Sequence, residues 1–422
     1  MGEISVSLQK RSRLMYIFEA AIEYLISILV ASSYLARLTK ALGFSDSLTG
    51  ILSNIISLGC LFQLLSLSLR RTKVKGFVVL FSIINQILFM LLYIVPLTDF
   101  SKKAKIAAFL ILFIAAYLTY YFANPKKIAW LMQAVEDKHR GSFTANKEIV
   151  SLLSGMVFTF GMGALIDHFS EAGQIRTAFI LSAVVIFVLT VLHTLTMVFA
   201  AEKDAPPAPK KNFGQTVAEL AKNKDIRRVT VVFILYYIAK SIAIPFYGSY
   251  EIGELGMTQK FISAIVIVGS VSRILVSKFW GRYADKKSFA AMIEKCFLFS
   301  ALSQTCMVFA VPATGKVMFF FYHIFSGIAF GGLNSALTNL IFDYVPEEKR
   351  ADSLAITQAF AGVAGFLTTL AVSPLVSHIQ ANGNTVLGLP VYAQQLMSVF
   401  GVIATLCVIV YIRCVFIKKN RA

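Results

Sequence analysis

The chain alternates long apolar runs with short polar turns, and the runs have the length of membrane spans. Twelve can be marked: residues 14–38, 47–69, 76–97, 105–124, 146–166 and 177–200, then 229–250, 261–280, 289–311, 317–342, 353–377 and 394–416. Such a run, as an α-helix rising about 1.5 Å per residue, crosses about 30 Å of hydrocarbon. A spanning β-barrel would show alternating segments of about 10 residues, and none is visible. Asn124-Pro125 is expected to kink or stop the fourth run, with 128–135 able to carry it on. Residues 281–287 read as a loop. The expected fold is therefore an all-α integral membrane protein of about twelve transmembrane helices.

One stretch breaks the pattern. Residues 201–228 are the least hydrophobic part of the chain, and Pro206, Pro207 and Pro209 forbid a helix at its start. From Thr216 to Arg227 the stretch reads as a short amphipathic helix. The two sides of this linker look like copies. A shift of 210 aligns Gly59 with Gly269, Arg140 with Arg350, Gly155 with Gly365, Leu165 with Leu375 and His168 with His378. The implied organisation is a six-helix half over 1–200, a linker over 201–228 and a second six-helix half over 229–422, in parallel repeat.

Composition agrees. Hydrophobic residues make up 57% and charged residues 15%, against about 25% charged in soluble domains. Mean hydropathy is +0.73. The net charge of +18 could suggest nucleic acid, but its distribution does not. Lys and Arg crowd the loops after the second, fourth, sixth, eighth and tenth runs and both ends of the chain. That is the positive-inside pattern, which sets orientation in a bilayer. Both termini are expected on the cytosolic side of a cell membrane, in a plasma membrane of prokaryotic type. The five cysteines lie in or at the ends of apolar runs with no CxxC pair, so they read as packing residues, with no metal or disulfide framework.

One motif carries a family resemblance. Gly281-Arg282-Tyr283-Ala284-Asp285-Lys286-Lys287 resembles the G-x-x-x-D-R/K signature that the major facilitator superfamily places between the second and third helix of a half. Gly281, Asp285 and Lys286 match; the places that continue the pattern hold Ser288, Phe289 and Ala290. The first-half equivalent, 70–75, keeps the charge and lacks the Asp. Two six-span halves in parallel repeat are also that superfamily's layout. The resemblance implies a cytosolic gating loop at Gly281, Asp285 and Lys286, with Arg140 and Arg350 in matching positions after the fourth helix of each half.

Ionisable residues inside spans are costly, about 2.5–3.5 kcal/mol on insertion scales. Glu19 and Glu23 lie one turn apart on one face of the first span. Glu23 is nine residues from Leu14, about 13 Å deep, and Lys240 is eleven from Val229, about 16 Å deep. A Glu23–Lys240 charge pair is one expectation. The alternative has Glu19 snorkelling to the interface and Lys240 held by backbone carbonyls. Arg273, about 10 Å in from Trp280, could hold an anion, pair with a carboxylate or snorkel. His323 could relay protons or serve as a hydrogen-bonded structural residue. Tyr117, Tyr120, Tyr121, Asn124, Tyr236, Tyr237 and Asn334 are candidate cavity residues, a mixture suited to sugars, nucleosides or amphipathic organics.

Several motifs are missing. There is no G-x-x-x-x-G-K-[ST], no HExxH and no GxSxG, so no enzyme is expected. The reading is a monomeric secondary transporter of a small organic solute working by alternating access. It needs no cofactor beyond an ion gradient, expected to be H⁺. Its partners are the solute and the lipid bilayer, with no nucleic acid. The alternatives are a proton-coupled exporter of amphipathic drugs and a membrane sensor or lipid-moving protein. The fifth span, SGMVFTFGMGALID, lacks the Gly-Pro that drug exporters of the superfamily usually carry there.

Overall fold

The computed structural model describes residues 6–66, 73–136, 140–202, 222–345 and 350–417. They are almost wholly helical. Among the described residues, nine helices are long and apolar enough to cross a membrane, ten spans if one bent pair counts as one. That pair is α1 (Val6–Leu29) and α2 (Ser32–Ala41), bent by 41°. Ala31 is extended and Ser32 takes φ 48°, left-handed for a residue with a side chain. The break frees carbonyls at the end of α1. Tyr93 takes up one of them, donating its hydroxyl to Leu29 O at 2.6 Å.

The second span is likewise broken, into α3 (Asp46–Ser53) and α4 (Ile55–Ser66). Ser45 caps α3 by accepting from Leu48 N at 3.2 Å. At the break, Asn54 donates its side-chain amide to Gly365 O at 3.1 Å and Thr369 Oγ1 at 2.6 Å. Then follow α5 (Lys75–Ile94), α6 (Lys102–Met132), α7 (Arg140–Glu171) and α8 (Ile175–Phe199). Of the kink or stop expected at Pro125, the stop does not occur: α6 runs through it and continues over 128–132, as the second apolar stretch allowed. Neighbouring helices and local adjustment let a membrane helix absorb the one amide that proline removes. Arg140 begins α7.

The described chain resumes at Lys222, so most of the expected linker, residues 203–221, lies outside the described residues. The seventh span starts earlier than its apolar run. Asn223 caps α9 (Lys224–Ala243), accepting from the amides of Asp225 and Ile226 at 2.9 and 3.2 Å. A 3-10 turn at Ile244–Phe246, built on Pro245, leads to the short α10 (Tyr247–Ile252). The rest is α11 (Gln259–Lys286), α12 (Phe289–Val308), α13 (Gly315–Tyr344), α14 (Arg350–Ala381), a two-residue hairpin (β1 Thr385–Val386 with β2 Leu389–Pro390) and α15 (Ala393–Ile412). Residues 281–286 are therefore helical, not a loop. Arg-Tyr-Ala-Asp-Lys continues a helix readily, and the turn comes at Ser288, whose Oγ caps α12 by accepting from Ala291 N at 3.1 Å.

The chain forms two compact units. The first comprises Met1–Phe44, Phe62–Pro209 and Thr258–Ser263. Tyr16, Val78, Trp130, Leu131, Val135, Phe143 and Met197 form one of its cores. The second comprises Ser45–Leu61, Lys210–Met257 and Ala264–Ala422. Trp280, Ile293, Phe297, Leu333, Leu340 and Ile409 are among its core residues. Apolar side chains also cover the outward faces: Ile111, Val157 and Leu275 are two-thirds or more exposed. In water such a surface would aggregate; in a bilayer it is the solvent-facing side.

Candidate functional site

The site in the first unit starts from α1. Glu19 and Glu23, one turn apart, both face Lys127 of α6. The Lys127 ammonium is 2.9 Å from Glu19 Oε1 and in direct contact with Glu23 Oε2. Because α6 continues through Pro125, Lys127 reaches the depth of the two carboxylates. From α8, the fully buried His193 sets its Nε2 3.1 Å from Glu19 Oε1 and 3.6 Å from Glu23 Oε2. Gln86 of α5 stands behind the imidazole, its Nε2 2.9 Å from His193 Nδ1. In this orientation Gln86 donates to Nδ1. With Nδ1 accepting, the ring proton sits on Nε2 and is donated to Glu19. Gln86 Oε1 is buried without a hydrogen-bond partner among the described residues.

The charges in contact do not cancel. In direct contact, two carboxylates face one ammonium and one imidazole, with the Lys147 ammonium of α7 the next cation out, in a place where uncompensated charge is costly. The two acids also differ in access. The Glu19 side chain is 1% exposed and the Glu23 side chain 21%. Glu23 opens on a pocket lined by Phe81, Ser82, Asn85, Thr119, Tyr120 and Asn124, together with Lys127 itself. The Tyr120 ring lies 5.7 Å from the Lys127 ammonium. Donor atoms of Glu19, Glu23 and His193 lie within 4.8 Å of one another, a spacing that could hold a metal ion; the Lys127 ammonium binds the same carboxylates. On α1, Tyr16 accepts from Lys147 of α7 at 3.3 Å, and the ammonium stands 4.5 Å from its ring.

The arrangement is a buried, charge-unbalanced acid pair at the wall of a polar pocket in a helical membrane protein. The model of the Major Facilitator Superfamily matches residues 14–369 and 229–420. The chain belongs to that superfamily. Among solved structures it is similar to the nucleoside transporter NupG (14% identity, 97% of this chain and 99% of that one, TM-score 0.66). It is also similar to PepTSo, a transporter of the POT family (12%, 96% and 98%, TM-score 0.71), and to a D-xylose-proton symporter (13%, 95% and 96%, TM-score 0.66). At these identities the likeness is one of fold. No curated protein matches the sequence. The superfamily makes this a multi-pass membrane transporter of a solute, not an enzyme.

The other candidate residues divide. Tyr120 and Asn124 line the pocket with Glu23. Tyr117 and Tyr121 do not: they continue a ladder of rings from Phe109 and Phe113, with centroids 4.9–6.3 Å apart. The reason is helical phase, since i and i+4 share a face and that face of α6 is the packed one. In the second unit, Lys240 lies over the Tyr237 and Tyr236 rings at 3.7 and 5.4 Å. Tyr236 is buried against Phe297 at 5.4 Å. Within the first unit, the ammonium that meets Glu23 is that of Lys127. Arg273 is half-buried on α11, where its backbone carbonyl packs close to Gly331. His323 faces Glu251 of α10 at 3.9 Å. Gly281 and Lys286 are exposed in the last turns of α11. The side chains of Asp285, Asn334, Arg140 and Arg350 lie outside the described residues.

Sequence reasoning passed over Lys127, His193, Gln86 and Glu251. His193 carried a usable signal, an ionisable residue inside an apolar run. Lys127 lies between the apolar run that ends at Asn124 and the stretch 128–135, so it does not count as a residue inside a span. Glu251 stood one residue beyond the expected end of the seventh span. Glu294, in the ninth span, pairs with Arg413 at 2.5 Å.

Proposed function

We propose that the chain is a secondary transporter of a small polar organic solute, driven by H⁺ bound at Glu23 and working by alternating access. The observation that carries this reading is the shared cation: one Lys127 serves two carboxylates, and only Glu23 of the two opens on the polar pocket. A proton on Glu23 removes the surplus charge. It leaves Glu19 and Lys127 as a balanced buried pair and releases Lys127 from one of its two partners. Ser82, Tyr120 and Asn124 supply the hydroxyl and amide groups for an uncharged polar solute, while Asn85 and Thr119 already donate to carbonyls of α6. The cavity as it stands, about 10 Å³, has room for about one water, so the solute would enter on opening. Glu19, enclosed and held by both Lys127 and His193, keeps the ammonium in place while Glu23 titrates.

The nucleoside transporter and the D-xylose-proton symporter among the similar structures fit such a solute class. The distribution of Lys and Arg supports cytosolic termini. The working form is a monomer in a cell membrane.

The test has two stages. A thermal-shift screen of the detergent-purified protein against sugars, nucleosides, amino acids, organic anions and cationic drugs identifies the solute, because a ligand of the folded state raises its melting temperature. In proteoliposomes, Glu23→Gln should then abolish uphill accumulation of that solute and retain exchange of labelled for unlabelled solute. Normal accumulation by Glu23→Gln would remove Glu23 from coupling. A shift by amphipathic cations alone would favour an exporter.

A further inference from the structure

The second unit holds a buried acid–imidazole pair that the transport reading does not use. Glu251, on the six-residue α10 beyond Pro245, is 4% exposed. Its ion-pair partner among the described residues is His323 of α13, with Nε2 3.9 Å from Glu251 Oε1. That is too long for a hydrogen bond. The His323 Nε2 is itself buried and finds no hydrogen-bond partner among the described residues. A buried acid and a buried, unpartnered imidazole nitrogen thus face one another across a gap slightly longer than a bond.

The surroundings hold the pair in place and keep it apolar. The His323 ring packs on Tyr322 and Phe319, with centroids at 5.1 and 6.5 Å. Phe319 and Tyr322 also meet Tyr247, and Phe319 meets Tyr250, both on α10. The His323 backbone lies so close to Gly269 of α11 that a Cβ there would stand 2.9 Å from the His323 carbonyl oxygen. The other acids at this end of the span, Glu254 and Asp46 of α3, are both engaged by the Gln380 amide of α14, at 3.4 and 2.8 Å. Among the described residues, Tyr322 and Tyr247 pack around the pair, with Tyr250 beyond Phe319 and Cys306 near Tyr247; none of these supplies a cation.

We propose that Glu251 and His323 form a proton-binding site in the second unit, separate from the Glu19–Glu23 cluster. One added proton gives the gap what it lacks. It sits on Nε2 and is donated to the carboxylate, or on the carboxyl and is donated to Nε2. In either form the buried Nε2 is satisfied by one short contact to the carboxyl group, and no heavy group has to enter. Proton binding here does not depend on the transport reading; only a role for that proton in coupling does.

The test needs no solute. Infrared difference spectra of the detergent-purified full chain between alkaline and acid pH report protonated carboxyl groups through their carbonyl stretch. Glu251→Gln should remove one pH-dependent carboxyl band, and that band should persist in Glu23→Gln. His323→Gln should move the midpoint of the same band by about one pH unit or more, because it removes the facing imidazole. A Glu251→Gln spectrum superimposable on the parent's would overturn the site. So would a His323→Gln titration identical to the parent's, and this second variant decides the matter where the first does not fold. Loss of a band in Glu23→Gln with none lost in Glu251→Gln would sink this site and leave the proposed transport function standing.

Discussion

Asp167 closes the first turn of α11 through Lys260: its Oδ2 accepts the Lys260 backbone amide at 2.5 Å, and its Oδ1 accepts that of Gln259 at 3.0 Å. The carboxylate comes from the last turns of α7, far away in sequence, and Arg37 of α2 neutralises it at 3.2 Å. Thr258 Oγ1 takes the next amide, that of Phe261, at 3.3 Å. The amides left open at a helix start are thus filled by one remote acid and one local hydroxyl. Gln259 adds a side-chain bond to Ser33 Oγ at 2.6 Å. Residues 258–263 belong to the first unit through these contacts.

Asp167→Ala is therefore expected to cost about 1–3 kcal/mol, a lost cap together with a half-buried Arg37 left without its acid. Asp167→Asn should be milder, since one oxygen still accepts. Hydrogen exchange followed by mass spectrometry gives the check. Peptides covering 259–263 should lose protection in the alanine variant while those from α9 do not. Unchanged protection at 259–263 would mean that Asp167 does not hold this turn.

Lys127 offers a sharper contrast. Removing one member of a buried ion cluster leaves the others uncompensated, at a cost of about 3–5 kcal/mol. Lys127→Met should accordingly lower the melting temperature strongly, because Glu19 and Glu23 would face each other with only an imidazole between them. Adding Glu19→Gln to that variant should restore part of the loss. A double variant no more stable than Lys127→Met alone would show that the two residues are not energetically coupled.

The spans and their order are legible in the sequence because a membrane helix needs only length and apolarity; among the described residues ten of the twelve runs, the bent first one included, meet that measure as helices. What fills the site is not, for physical reasons. His193 meets Glu19 across 174 residues of chain and Gln86 across 107, and nothing local to an apolar run records such a meeting. Glu19 and Glu23 stand out because a pair of acids in a span has no bland explanation. Lys127 does not, because its neighbour Pro125 reads as punctuation in water, whereas a packed membrane helix absorbs the missing bond. The tyrosines of α6 mislead in another way. Tyr117, Tyr120 and Tyr121 share a composition, and only helical phase separates the one at the pocket from the two in the ring ladder.

Ser32 tests the bend in the first span. Its φ of 48° is one that a residue with a Cβ adopts at a cost of about 1–2 kcal/mol and glycine adopts freely. Ser32→Gly should hold or raise the melting temperature, while Ser32→Val, branched at Cβ, should lower it. If valine were as stable as glycine there, the bend would not depend on a left-handed residue 32.

Gly362 marks a close helix contact in the second unit. A Cβ on it would overlap the Ser57 carbonyl oxygen, which is backbone and cannot rotate away. The neighbouring bonds fix that backbone further: Ser57 Oγ donates to Asn54 Oδ1 at 2.6 Å, and Asn54 donates to Gly365 and Thr369 of α14. Neither α4 nor α14 can retreat without breaking them. Gly362→Ala should therefore cost about 1–3 kcal/mol, typical of an overpacked contact, although alanine is the better helix former. Gly161 is the control. It too lies within a helix, and a Cβ there would meet nothing within 4 Å. Gly161→Ala should leave the protein as stable as before or slightly more so, by about 1 kcal/mol at most. The measurement is the pair of melting temperatures in one detergent. Equal tolerance of alanine at both positions would show that α4 and α14 do not approach as closely as the Gly362–Ser57 contact requires.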